Sequence, residues 1–326
     1  MIVEAELRAF ARDRRRQREL GESTNRFALG WRHGDVNRRF AETFQPLDRD
    51  DAEAVAGAAR ALLADDAWID ALIGAVADEL RRNPFCEPPF PVLNGDLHTG
   101  LLVYEDDKVA IAAGVSRAVQ VAERKTARRG RTSINLTGQL NVLKFAKAGG
   151  ATLSFWDAPP ISWDFCADHA GACRRSERRR IADGEIVTVD GRSQAYVIDH
   201  VRSNILLLQA VVKAGQAPVS VEYDSESGAY VGCHAVDDSD SRIQMIATLV
   251  RKLGHDEAVP VLTAFLDHPS FFVRWHVMRE LLGVDVRAAL PHLRRMAEED
   301  PHPDARQAAA AVIGRAEGAV TERKAA

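Results

Sequence analysis

The chain has 326 residues, of which 46% are hydrophobic and 28% charged, with a formal net charge of −4 at pH 7. That length suggests two or three domains, each with apolar residues enough for a core. The acidic balance argues against a general polyanion binder, which would ordinarily be basic, so nucleic acid is not expected as the principal partner.

Residues 1–83 read as helical and polar. "EAELRAFARDRRRQREL" is expected to form one helix, with Leu7, Phe10 and Ala11 on a weak apolar face. No apolar run follows a positive start here, so a secretory leader is not expected. In "DRDDAEAVAGAARALLADDAWIDALIGAVADELRR", Asp50 or Asp51 is suited to cap one helix and Asp65-Asp66 a second. Trp68, Ile69, Leu72, Ile73, Val76 and Leu80 recur at helical spacing and are expected to face a core. The prolines of "NPFCEPPFPVLNGD" end the helical run.

Residues 84–237 change to short apolar segments separated by glycine and acidic turns, the pattern of an antiparallel β domain. "VYEDDKVAIA" and "VEYDSESGAYVG" read as hairpins. The four cysteines, Cys86, Cys166, Cys173 and Cys233, are too scattered for a disulfide framework and fit a reducing compartment, so a cytoplasmic location is expected. "NILLLQAVV", the longest apolar run, is too short to span a bilayer, and no membrane association is expected.

Residues 238–318 return to helix, and 319–326 read as a disordered tail. "DDSDSRIQMIATLVRKLG" offers Asp or Ser caps, an apolar stripe at Ile243, Ile246, Leu249 and Val250, and a closing Gly254. "VPVLTAFLDHPSFFVRWHVMRELL" is then echoed by "LPHLRRMAEEDPHPDARQAAAAVI", with Pro269 and Pro301, and Arg274 and Arg306, at a period of about 32 residues. A unit of this size cannot cover its own apolar face, so its copies must stack.

The stretches "DHPSFFVRWHVMREL" and "EDPHPDARQAAAAVI" resemble bacterial HEAT-type repeats: each has an acidic residue and proline in the turn, then an arginine opening the second helix. Ala308, Ala309 and Ala311 would permit close helix packing. The resemblance implies an α-solenoid that binds a protein partner. "GGATLSFWDAP" and "IADGEIVTVDGRSQAYVI" resemble the two segments of a divergent cupin or small jelly roll. Metal-binding cupins supply two histidines and a carboxylate from the first segment and a further histidine from the second. Here the chain has no His-x-His, Trp156 and Asp157 stand near the first position, and Gln194 stands near the last. The resemblance therefore implies a β barrel without its metal. The expected fold is α+β: a helical N-terminal segment, a central antiparallel jelly-roll or cupin-like barrel, and a HEAT-like C-terminal solenoid.

Several groups carry candidate chemistry. Trp156, Asp157, Gln194 and Tyr196 sit on the two cupin-like strands and are the expected pocket for a small ligand or peptide. Arg174, Arg175, Arg178 and Arg179 in "CRRSERRR" suit an anion through their guanidinium forks, or equally a solvated edge strand. Within "FFVRWHVMRELL", Phe271 and Trp275 could anchor a partner or pack in the solenoid, with Arg274 and Arg279 expected on a more exposed face. Asp96 and His98 are two apart and would share a strand face. With His200 or His234 they could complete a two-histidine, one-carboxylate site for iron, manganese or zinc; "NGD" is equally a turn. Cys166, His169 and Cys173 lack zinc-knuckle spacing. The basic stretches at 12–18 and 122–133 lack the interleaved aromatics of a stacking platform.

No nucleophile elbow, Walker loop, dinucleotide fingerprint or His-Glu-x-x-His occurs. The leading expectation is a binding or scaffold protein without a cofactor, using the repeats for a protein partner and the β domain for a ligand or for homodimerisation. The alternative is a metal-dependent oxygenase or isomerase with non-standard ligands.

Overall fold

The computed structural model describes residues 8–84, 86–95, 98–121, 133–254 and 257–325, with side chains as far as residue 317 in the last helix. The chain divides into two compact units. The first comprises residues 1–134, 139–157 and 175–216; the second comprises 135–138, 158–174 and 217–326.

The first unit begins with α1 (Arg14–Arg32), α2 (Asp35–Phe44), α3 (Ala52–Ala64) and α4 (Ala67–Arg82). The single helix expected over residues 4–20 is interrupted at Asp13, whose carboxylate accepts from the backbone N–H groups of Arg15 and Arg16 and so starts α1 afresh. Asp51 caps α3 by accepting from Ala54 N at 2.9 Å. On α4, Trp68 and Leu72 are buried and Ile69 and Val76 pack beside them, whereas Ile73 and Leu80 point outward.

The strands are β1 (Val92–Asn94), β2 (His98–Glu105), β3 (Val109–Ser116), β4 (Ser133–Leu136), β5 (Leu140–Lys147), β6 (Thr152–Asp157), β7 (Arg174–Arg180), β8 (Glu185–Asp190), β9 (Gln194–His200), β10 (Ile205–Val212), β11 (Val219–Asp224) and β12 (Tyr230–Ala235). Both expected hairpins form, β2 with β3 and β11 with β12. The expected closed jelly-roll barrel does not. Among the described residues the strands make three open sheets, ordered β1-β2-β3-β10-β5-β8, β12-β11-β4 and β7-β6-β9. Two of the edge strands show why pairing stops there. Strand β1 has only three residues, and β7 reads "RRSERRR" with nearly every residue exposed, a charged edge that resists a further strand.

Two cores hold this unit. One joins Phe40, Phe44, Val55, Leu63 and Trp68 of the helices to Val109, Ile111, Val142, Leu208 and Val212 of the six-stranded sheet. The other joins Leu143, Phe145, Val187 and Val189 of that sheet to Leu153 and Phe155 of β6. Lys144, buried on β5, is ion-paired with Asp66 at the start of α4. Lys108 donates to the carbonyls of Phe44 and Gln45 at 3.2 and 2.9 Å, closing the end of α2.

In the second unit, β11 and β12 precede α5 (Asp238–Leu253), α6 (Ala258–Ala264), α7 (Phe271–Val284), α8 (Val286–Glu299) and α9 (Pro303–Ala325). Gly254 closes α5 in the left-handed conformation, as its position suggested. Val273, Val277, Met278 and Leu281 of α7 form the middle of the helical core, with Ala247, Leu262, Leu293, Met296 and Ala309 around them. Among the described residues, no helix is long and apolar enough to cross a membrane.

Gly149 follows β5 at φ +60°, where a Cβ would lie 2.3 Å from Ser203 O and 2.9 Å from Asn204 O. Gly184 has φ +80° but open space around it. Chemical denaturation should therefore separate them: Gly184→Ala should cost about 1 kcal/mol from left-handed strain alone, and Gly149→Ala about 3 kcal/mol or more from strain plus steric overlap.

Candidate functional site

The two repeats place the same residues in the same turn. Pro269 and Pro301 lie between the paired helices, and an arginine follows each five residues later. Arg274 Nη1 donates to the carbonyls of His268 and Pro269, each at 2.8 Å. Arg306 Nη1 does the same to Asp300 and Pro301, at 2.6 and 3.1 Å. Each guanidinium thus satisfies backbone acceptors that the turn leaves unpaired. Arg274 goes further. Its Nε and Nη2 donate to Asp300 Oδ2 and Oδ1 at 2.8 and 2.6 Å, a bidentate pair in which both residues are only 7% exposed.

Asp300 also accepts from His302 N at 2.9 Å. His302 is buried. Its Nδ1 accepts from Asp304 N at 3.2 Å, and its Nε2 lies 3.1 Å from Phe165 O, so the neutral ring with its proton on Nε2 satisfies both partners. Its ring stacks on Phe271 with centroids 3.5 Å apart and planes 5° from parallel. Burial pushes its pKa below the ordinary histidine value, against the opposing pull of Asp304 and the bond to Phe165.

These turns line a cleft of about 600 Å³. His268, Pro269, Phe271, Arg274, His292, Arg295, Glu299 and His302 form its walls, and Trp163 stands beside it with 69% of its surface exposed. Trp163 is two residues from Phe165, which is buried and tied by its carbonyl to His302. Arg295 is paired with Asp267 at 2.9 Å on the rim. His268 lies 3.8 Å from Asp240, and Ser270 donates its hydroxyl to the same carboxylate. The cleft therefore offers an exposed indole, a partly exposed phenyl ring and a rim of both charge signs: surface for contact rather than a nucleophile poised beside a base.

The sequence-nominated residues divide unevenly around this site. Phe271 lines it. Trp275 packs against the solenoid core instead, and Arg279 is exposed on α7. Arg274, expected on an exposed face, is buried because Asp300 of the next turn neutralises it. His268, His292, His302 and Arg295 were not singled out by sequence; for His268 and His302 the signal was present in the His-Pro and Pro-His-Pro spelling of the two aligned turns.

In the first unit the four pocket candidates do not converge. The β6–β9 register sets Phe155 opposite Tyr196 and Asp157 opposite Gln194, with Trp156 opposite Ala195. Strand alternation puts Asp157, Gln194 and Tyr196 on one face and Trp156 on the other. Gln194 donates to Asp157 at 3.0 Å, and Tyr196 packs on the sheet core, where burial pushes its phenol up to about 12. Arg175 sits 5.9 Å over the Trp156 ring, whose indole N–H is buried without a hydrogen-bond partner. Arg178 is paired with Asp199 and Arg179 with Glu185, while Arg174 and Arg175 are exposed on the edge strand.

Asp96, proposed as a metal ligand, lies outside the described residues, as do residues 122–132 of the second basic stretch. His98 and His200 end strands of the first unit and His234 lies on β12 of the second; all three are exposed. Among the described residues, no group of three or more His, Cys, Asp or Glu is placed to hold a metal ion. Cys86, Cys166, Cys173 and Cys233 form no disulfide with one another.

Comparison with known proteins agrees with the helical part. The family described as HEAT repeats matches residues 234–314. This region, well under half of the chain, is HEAT-like. No curated protein sequence matches the chain. Among solved structures, the chain has 12% identity to an ectoine synthase from P. lautus, covering 38% of this chain and 69% of that one, with a TM-score of 0.23. It has 10% identity to a 7S globulin of Momordica charantia, covering 43% and 36%, with a TM-score of 0.25. With TM-scores this low, nothing about fold or chemistry follows from either.

Two outcomes test the geometry. Arg274→Ala leaves the Asp300 carboxylate buried and uncompensated, and should cost about 3–5 kcal/mol in chemical denaturation. His302 holds fewer protons folded than unfolded, so its contribution is present above the ordinary value of 6.5 and is lost as pH falls through the lowered folded value. The melting temperature should therefore decline below pH 6.5 in the wild type, and less steeply in His302→Gln.

Proposed function

We propose that this chain is a binding protein whose HEAT-like region takes up an extended segment of a partner protein in the cleft beside Trp163. The observation that carries this reading is the indole of Trp163, left 69% exposed while the neighbouring loop is held by buried Phe165. Large aromatic side chains on a fixed frame are the usual energetic anchors of protein contacts. Phe271 supplies a second apolar contact within the cleft, and the Arg295–Asp267 pair and Glu299 supply a polar rim that would set the direction of a bound backbone.

The β-rich first unit has a supporting role in this reading. A candidate for an anionic ligand there is the exposed edge of β7, where Arg175 lies over the Trp156 ring. That assignment keeps the arginines and Trp156 of the sequence reading and leaves out Tyr196, which belongs to the core.

Selection of random peptides from a display library on the intact chain tests the cleft. The expected outcome is a family of peptides of micromolar affinity that lose about tenfold or more on Trp163→Ala, with the variant's melting temperature unchanged. Peptides that bind wild type and Trp163→Ala equally would remove the cleft from the interaction.

A further inference from the structure

We propose that the outer face of α5 is where a second copy of this chain docks, antiparallel, about a two-fold axis at Met245–Ile246. The inner face of α5 is fully employed. Ile243, Ala247 and Val250 pack toward α7, Gln244 donates to Phe272 O, and Thr248 and Arg251 meet Glu280. The outer face is a second apolar stripe. Met245, Ile246, Leu249 and Leu253 are 67%, 58%, 53% and 72% exposed.

A helix with apolar residues on two opposite faces needs a neighbour on each. The end of a repeat stack is ordinarily closed by a polar face. Among its described residues, helix α9 exposes Gln307, Ala310, Ala311, Gly314 and Arg315, none of them a large apolar side chain. Helix α5 departs from that rule with four large apolar side chains in one stripe, the mark of an interaction surface.

The charges flanking the stripe select the occupant. Asp238 is exposed in the first turn of α5 and Lys252 in the last, with the apolar residues between them. Under the proposed two-fold, each Asp238 falls beside Lys252 of the other copy, Met245 and Ile246 meet at the centre, and the methylene stem of Arg242 lies along Leu249. The antiparallel arrangement also sets the positive end of each helix dipole against the negative end of the other. A parallel arrangement would oppose Asp238 to Asp238 and Lys252 to Lys252. The stripe is thus complementary to itself in one orientation. A helix of this length extends about 24 Å, so the contact is smaller than a standard interface and should be of micromolar strength.

Sedimentation velocity of the full chain across a concentration series tests this. The expected result is a reversible monomer–dimer equilibrium in the micromolar range, with Leu249→Glu raising the dissociation constant about tenfold or more at unchanged melting temperature. Lys252→Asp should weaken the dimer about threefold, and adding Asp238→Lys on the same chain should restore it to within about twofold. A monomer at every concentration would overturn the proposal. So would a dimer indifferent to Leu249→Glu, which would mean that the copies meet elsewhere. Failure of the double charge exchange to restore association would overturn the antiparallel two-fold.

Discussion

The bidentate pair between Arg274 and Asp300 is the contact on which the geometry of the helical unit turns. Removing both charges from water is costly, and the cost is offset only because every polar atom of the pair finds a partner. Two guanidinium nitrogens meet the carboxylate, the third meets two turn carbonyls, and the carboxylate accepts from a backbone amide as well. One side chain therefore closes its own turn and fastens it to the next. The adjacent His302 is thereby set against Phe271, and through Phe165 O it holds the loop bearing Trp163. The exposed indole is available for contact because the residues behind it are locked.

The first unit follows a different rule. Its helices do not share a separate core; Phe40, Phe44, Leu63 and Trp68 pack on the same apolar surface as the long central strands. Lys108 and Lys144 sit at that boundary, one satisfying the carbonyls at the end of α2 and the other pairing with Asp66 at the start of α4. Buried lysines with specific acceptors restrict how the helices can lie on the sheet, because any other placement would strand a charge. In the sheet β7-β6-β9, the arginines of β7 keep an edge strand solvated and closed to further pairing.

The proposed cleft and the proposed dimer face use different elements of the helical unit. The cleft is built from the turns and from α7 and α8, the dimer face from the outer side of α5. Occupation of one need not displace the other, and a dimer would present two clefts. Such doubling raises the effective strength with which a partner carrying two binding segments is held.

Much of this was legible in the sequence because it depends on near neighbours. The cap at Asp51, the stop at Gly254, the hairpins, and the repeat spelled by Pro269, Arg274, Pro301 and Arg306 are set by residues a few positions apart, or by recurrence along the chain. What depends on distant residues was not legible. The sheet order, with β10 between β3 and β5, pairs segments far apart in sequence, and nothing local distinguishes those open ladders from a closed barrel. The phase of β6 against β9 decided that Trp156 and Tyr196 face opposite ways. Arg274 reads as a surface residue until Asp300 arrives to neutralise it, and Ile246 and Leu249 read as core until the stack turns their face outward. Local sequence determines which elements form and where they stop, because backbone preferences and capping act over one or two turns. Which faces are buried, which charges are paired and which surfaces remain for a partner are decided by tertiary packing, because each needs a second element to be present.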